Sequence, residues 1–200
     1  MASSALMVID VQNDFCPGGA LPIPGGDEIV PVINRMIPGF DHVLLTQDWH
    51  PPGHSSFASS HEGKAAYEKI DTPNGVQTLW PDHCIQGTFG ADFHRDLDWT
   101  KAELIIRKGF REPIDTYSAF FEYDHRTPSG LAGYLRDREI TKLTLVGLAT
   151  DVCVAHAALD AVKQGIGVTV RLDGCREVNI EGSHQKMIAK MREAGVELLS

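Results

Sequence analysis

A-L-M-V-I-D-V, residues 5–11, is an apolar run broken once, by Asp10. A strand with one face in water alternates apolar and polar residues, whereas an unalternating run is buried on both faces. Comparable runs recur at 42–46 (H-V-L-L-T), 103–107 (E-L-I-I-R), 142–147, 167–172 and 196–199. Segments of helical period lie between them. Ile29, Val32, Ile33 and Met36 share one face after Gly25-Gly26-Asp27 and before Pro38-Gly39. A helix is expected after Thr127-Pro128-Ser129 as far as about Asp137, and others at about 150–164 and 180–194. Strands alternating with helices specify an α/β fold: a parallel sheet covered on both faces, with right-handed crossovers.

The chain has 200 residues, which suits one domain spanning 1–200. A chain of this length buries roughly 70% of its unfolded surface and needs no disulfide or structural metal to stay folded. Its formal net charge of -9 argues against nucleic acid or an anionic membrane as a partner, since both call for a basic surface. Cys16, Cys84, Cys153 and Cys175 form no C-x-x-C pair. No basic-then-apolar leader opens the sequence, and no apolar stretch approaches the ~20 residues of a membrane span. A cytoplasmic protein with reduced cysteines is expected. Nothing in the pattern decides between a monomer and a homo-oligomer.

In open parallel sheets, ligands bind at the carboxyl ends of the strands. Asp10 falls at the end of the first strand, Asp48 just after the second, Lys108 just after the third and Cys153 just after the fourth, at the start of a helix. An isolated cysteine is usually a packing residue. One in the first turn of a helix is different, because the helix N-terminus favours the thiolate and its N–H groups can hold an oxyanion. Asp10, in an otherwise apolar strand, is a candidate proton acceptor, and Lys108 is its candidate partner; the same two residues could equally form a structural ion pair.

Residues 49–102, rich in Pro, Gly, Ser and His, form a long irregular stretch expected to lie over the active face. Asp48 and His50 are two apart and would project to one side of an extended segment. His54 follows, and W-P-D-H-C at 80–84 brings His83. One carboxylate with two or three imidazoles suits a divalent transition metal: Zn, Fe or Mn. His61, His94, His125 and His184 lack such a setting and are expected at the surface.

Taken together, D-V-Q-N-D-F (10–15), T-Q-D-W-H-P (46–51), W-P-D-H-C (80–84), R-K-G (107–109), D-T-Y-S-A-F (115–120) and G-L-A-T-D-V-C-V (147–154) resemble the nicotinamidases of the isochorismatase-like cysteine hydrolase superfamily. The resemblance covers nearly the whole chain. It implies a three-layer α/β/α fold around a six-stranded parallel sheet. It implies a catalytic triad of Asp10, Lys108 and Cys153, oxyanion donors at Ala149 and Cys153, and a cis bond between Leu148 and Ala149. It also implies a metal held by Asp48, His50 and His83, with His54 a ligand in some members only, and a substrate pocket lined by Phe15, Trp80 and Tyr117. The activity so implied is hydrolysis of nicotinamide to nicotinate and ammonia through a thioester, with pyrazinamide as a second substrate.

Two other readings compete. A neighbouring hydrolase could act on a vinyl ether or a ureido or aromatic amide, but those relatives commonly lack either the cysteine or the metal set. A non-catalytic metal-binding α/β module would leave Asp10, Lys108 and Cys153 without a purpose. A dinucleotide site is disfavoured because no G-x-G-x-x-G follows the first strand.

Overall fold

The sheet grows outward from the first strand. In the computed structural model, which describes residues 3–200, β1 spans Ser3–Ile9 and pairs in parallel with β2 (His42–Asp48) on one side and β6 (Ile140–Leu148) on the other. β5 (Ala102–Lys108) lies outside β2, while β7 (Gly167–Arg176) and β8 (Glu197–Leu199) lie beyond β6. The order is β5-β2-β1-β6-β7-β8, parallel throughout. The chain therefore travels one way from β1 and the other way from β6. The gap between those two strands is the point where such a sheet opens a crevice for a ligand.

Side chains of β1 alternate between two cores, as a strand buried on both faces requires. Leu6 and Val8 join Val43, Leu45 and the residues Val30 and Ile33 of α1 (Val30–Met36). Ala5, Met7 and Ile9 join the opposite core, covered by α2 (Leu131–Asp137), α3 (Ala155–Lys163) and α4 (Ser183–Glu193). Ala155, Ala157, Ala158 and Ala161 form the buried face of α3; small side chains let the helix lie close to the sheet without losing helix propensity. The expected three-layer α/β/α architecture is what the molecule has, with helices shared unequally. Three helices cover one face; on the other, α1 is completed by irregular chain carrying Phe15, Leu21, Ile23, Trp80 and Leu97. No helix among the described residues is long and apolar enough to cross a membrane.

Several boundaries differ from the sequence expectation. β1 stops at Ile9 instead of running to residue 11, because Asp10 takes φ 50° and turns the chain off the sheet. Asp48 and Lys108 are the last residues of their strands, not the residues after them. The stretch 49–102 is not wholly irregular: β3 (Lys69–Thr72) and β4 (Gly75–Thr78) form an antiparallel hairpin. The helix expected from 150 begins as a π turn, Thr150–Val154, before α3 proper. β7 continues through Asp173-Gly174 to Arg176, past a register irregularity opposite β6.

Candidate active site

Strand register brings the charged groups together. Ile9 pairs with both Thr46 and Gly147, and Asp48 pairs with Lys108. A Cβ on Gly147 would sit 2.1 Å from the Ile9 carbonyl oxygen, so only glycine lets the two strand ends close up here. Asp10 is fixed by Thr46, whose hydroxyl donates to Asp10 Oδ1 at 2.6 Å and accepts from the Asp10 N–H at 3.2 Å. The Lys108 ammonium lies 2.8 Å from Asp10 Oδ2, 2.6 Å from Asp48 Oδ1 and 3.5 Å from Cys153 Sγ, and donates to the Thr116 carbonyl at 3.4 Å. Asp10 is 0% and Lys108 2% exposed. Taking an ion out of water costs several kcal/mol, so these charges are tolerable only as a cluster.

Burial pushes the Asp10 carboxyl above its ordinary range, more than the neighbouring Lys108 pulls it down. Burial acts the same way on Asp48, but there Lys108 and His50 prevail and hold it well below. Lys108 is penalised by burial, yet its two carboxylates keep its ammonium charged well above the usual range. The Cys153 thiol is raised well above its usual value by burial, against the pull of Lys108. The helix start, expected to favour the thiolate, is opposed here by burial. Desolvation outweighs the turn, and the Ala149 carbonyl accepts the N–H groups of both Val152 and Val154. Burial also lifts Cys16 to about 11 and Cys175 to about 12. Thiol acidity therefore does not single out Cys153; its neighbours do. Asp10 Oδ2, though 2.8 Å from Nζ, has no aligned hydrogen-bond donor, and a carboxylate oxygen of Asp10 lies within 4.8 Å of Sγ. A buried acceptor left open beside a thiol is placed to take its proton.

Beside this triad, His50 Nε2 and His83 Nε2 approach the same Asp48 oxygen at 3.4 and 3.6 Å. Their other ring nitrogens face backbone carbonyls, His50 Nδ1 at 3.1 Å from Gly109 and His83 Nδ1 at 2.7 Å from Pro81. An Nδ1–H given to a carbonyl leaves the Nε2 lone pair free, the arrangement metal-ligating histidines adopt. The separations suit bonds of about 2.1 Å to one ion. Asp48, His50 and His83 therefore fit a divalent transition metal. His54 does not share that geometry. Its Nε2 is 3.1 and 3.2 Å from the Arg111 and Ile114 carbonyls, and its Nδ1 accepts the Ser56 N–H at 3.2 Å. Both nitrogens are engaged, and the ring packs on His50 with centroids 4.4 Å apart.

Phe15, Trp80 and Tyr117 line one narrow pocket with Asp48, His50, His83, Ala149 and Cys153. The indole N–H of Trp80 donates to the Tyr117 hydroxyl at 3.2 Å, which fixes one aromatic wall. The Leu148–Ala149 bond is cis. Asp48, His50, His83, Phe15, Trp80, Tyr117, Ala149 and Cys153 thus meet in one cavity, Asp10 and Lys108 lie buried against its Asp48 and Cys153, and His54 packs on His50 outside it.

Other positioning residues went unread, although they sit inside the quoted motifs. The Gln12 side chain donates to the Asp48 carbonyl and accepts its N–H, both at 2.8 Å, clamping β2 to the turn after β1. Asp14 accepts the Cys84 N–H at 2.7 Å and so fixes the loop carrying His83. Gly109 has φ 65°, and a Cβ there would lie 2.2 Å from the His50 ring. Asp151 accepts the Val178 and Asn179 N–H groups at 2.9 Å each, and the Ser183 hydroxyl. The residue types were visible, but their partners are remote in sequence.

The isochorismatase domain profile matches residues 4–200. The chain is 50% identical over 196 residues to a nicotinamidase of Acinetobacter baylyi, covering 98% of this chain and 92% of that one. Its fold is similar to that of a nicotinamidase/pyrazinamidase of Acinetobacter baumanii, with a TM-score of 0.99, 50% identity, and 100% and 97% of the two chains covered. It is also similar to a pyrazinamidase of Pyrococcus horikoshii in complex with zinc, with a TM-score of 0.81, 34% identity and 99% of each chain covered.

Proposed function

The chain belongs to the isochorismatase domain family, and from that premise we propose that it is an amidohydrolase converting nicotinamide to nicotinate and ammonia. Pyrazinamide, the same carboxamide on a diazine ring, is its second substrate. One observation carries the catalytic reading: the buried Lys108 ammonium lies 2.8 Å from Asp10 Oδ2 and 3.5 Å from the Sγ of Cys153, which itself lines the aromatic-walled pocket.

Burial favours the neutral thiol, so its proton must leave as the sulfur attacks. Asp10, its own pKa lifted by burial, is the better base for it, and Lys108 steadies the charge as it moves from carboxylate toward sulfur. A C–S bond forms at the carboxamide carbon, and the backbone N–H groups of Ala149 and Cys153 receive the oxyanion. Asp10 returns the proton to the departing nitrogen, the C–N bond breaks, and ammonia leaves a thioester on Cys153. Water adds to that carbonyl with Asp10 again as base, the C–S bond breaks, and nicotinate is released with the thiol restored. A divalent metal held by Asp48, His50 and His83 would supply Lewis acidity that anchors the ring nitrogen. Phe15, Trp80 and Tyr117 hold the flat ring by stacking and edge contacts, worth about 1 kcal/mol each beyond burial.

An ammonia-release assay on nicotinamide, pyrazinamide, isochorismate and a ureido acid, with elemental analysis of the same sample, tests the reading. Turnover of the first two with one bound transition metal per chain is expected. Preference for isochorismate or the ureido acid would overturn it.

A further inference from the structure

Three cavities meet at Val178. Among the described residues it is the one shared by the substrate pocket and both of its neighbours. The substrate pocket is tight, at about 30 Å³. The cavity toward α4 holds about 300 Å³ and the one under Leu21-Pro22-Ile23-Pro24 about 340 Å³. A ring larger than a simple pyridine therefore needs a wall to yield.

The other shared walls are poorly suited to yield. Leu21 and Ile23 are buried in the α1-side core. Val152 adjoins the nucleophile, and Trp80 and Tyr117 hold each other by a hydrogen bond. Val178 is only half-buried, on the segment joining β7 to α4. Its backbone is nevertheless fixed, because Asp151 accepts its N–H and that of Asn179 at 2.9 Å from within the nucleophile turn. With the backbone held, the Val178 side chain sets the thickness of the partition where all three cavities meet.

We propose that Val178 is a specificity-determining residue that limits the enzyme to small aromatic carboxamides by closing the pocket off from the two flanking cavities. The proposal rests on the amidohydrolase reading above. Shortening the side chain joins the pocket to existing empty space, so ring-substituted or fused-ring carboxamides gain room without displacing the core. A methylene-sized change in an apolar pocket is worth roughly 10- to 200-fold in discrimination.

The test compares kcat/KM by ammonia release for nicotinamide, its ring-methylated forms and quinoline-3-carboxamide in wild type, Val178→Ala and Val178→Ile. The quantity read is the ratio of each larger amide to nicotinamide. Val178→Ala is expected to raise that ratio at least tenfold for one or more larger amides, and Val178→Ile to lower it severalfold. Ratios within twofold of wild type in both variants would overturn the proposal. Val178→Ile keeps the backbone bonds and adds one methyl, so it decides the matter should the alanine variant misfold. Thermal shifts with nicotinate and quinoline-3-carboxylate read the same partition without turnover. A wild type inert on nicotinamide whose shifts still follow residue 178 refutes the activity and leaves the partition standing.

Discussion

The two halves of the pocket are built by different rules. Asp48 and Lys108 end neighbouring parallel strands and Asp10 directly follows a third, so pairing register sets their separations. His83, Trp80 and Tyr117 stand on long connections, held by scattered bonds such as Cys84 N–H to Asp14 and Trp80 to Tyr117. Groups whose charges must match within an ångström sit where the sheet fixes spacing. Groups that select a ligand sit where loops can vary without disturbing the core. Reaction and recognition are thereby separable in this fold.

That separation can be tested from both sides. The largest effect is expected at the thiol. Cys153→Ala should lower ammonia release by at least about four orders of magnitude while circular dichroism shows an intact fold. Asp10→Asn keeps the shape and removes the base, so a loss of about 10²- to 10⁴-fold is expected in the same assay. A loss under tenfold would reduce Asp10 to a structural counter-charge for Lys108. Stripping the metal with a chelator should cost at least about tenfold on nicotinamide. Zn, Fe or Mn should restore turnover and Mg should not, because imidazole ligands suit the former ions. Thr46→Val removes the hydroxyl's bonds to Asp10 Oδ1 and to the Asp10 N–H. A hydrogen bond to a charged group is worth about 1.5–3 kcal/mol, so a drop of about ten- to a hundredfold in kcat is expected, with KM little moved.

The same contrast explains what the sequence disclosed. Strand-end residues were legible because a charge that ends an apolar run is conspicuous: Asp10 after M-V-I, Lys108 after L-I-I-R. The loop histidines His50, His54 and His83 were legible from residue type as a candidate metal set with Asp48, but the choice of His50 and His83 over His54 came only through resemblance, since nothing in their spacing says which of them meet. The β3–β4 hairpin escaped notice because K-I-D-T and G-V-Q-T carry little apolar alternation. Tertiary partners hold it instead, through Lys69 to Glu181 at 2.5 Å and the Tyr123 hydroxyl to the Val76 carbonyl at 2.7 Å. The burial of the thiol was not legible for a related reason. A helix start is visible in sequence, whereas the depth at which a side chain is buried depends on what the rest of the chain lays over it.

The placement of β1 has a consequence for how the molecule comes into being. β1 is a central strand made before either of its neighbours, and the second of them, β6, begins only at Ile140. Until then one edge of β1 is unpaired, and an open apolar edge invites association with other chains. Contacts this distant along the chain also close slowly. Cys153 reaches Asp10 and Lys108 only once β6 has paired with β1, so a nascent chain that stops short of that pairing holds the three groups apart.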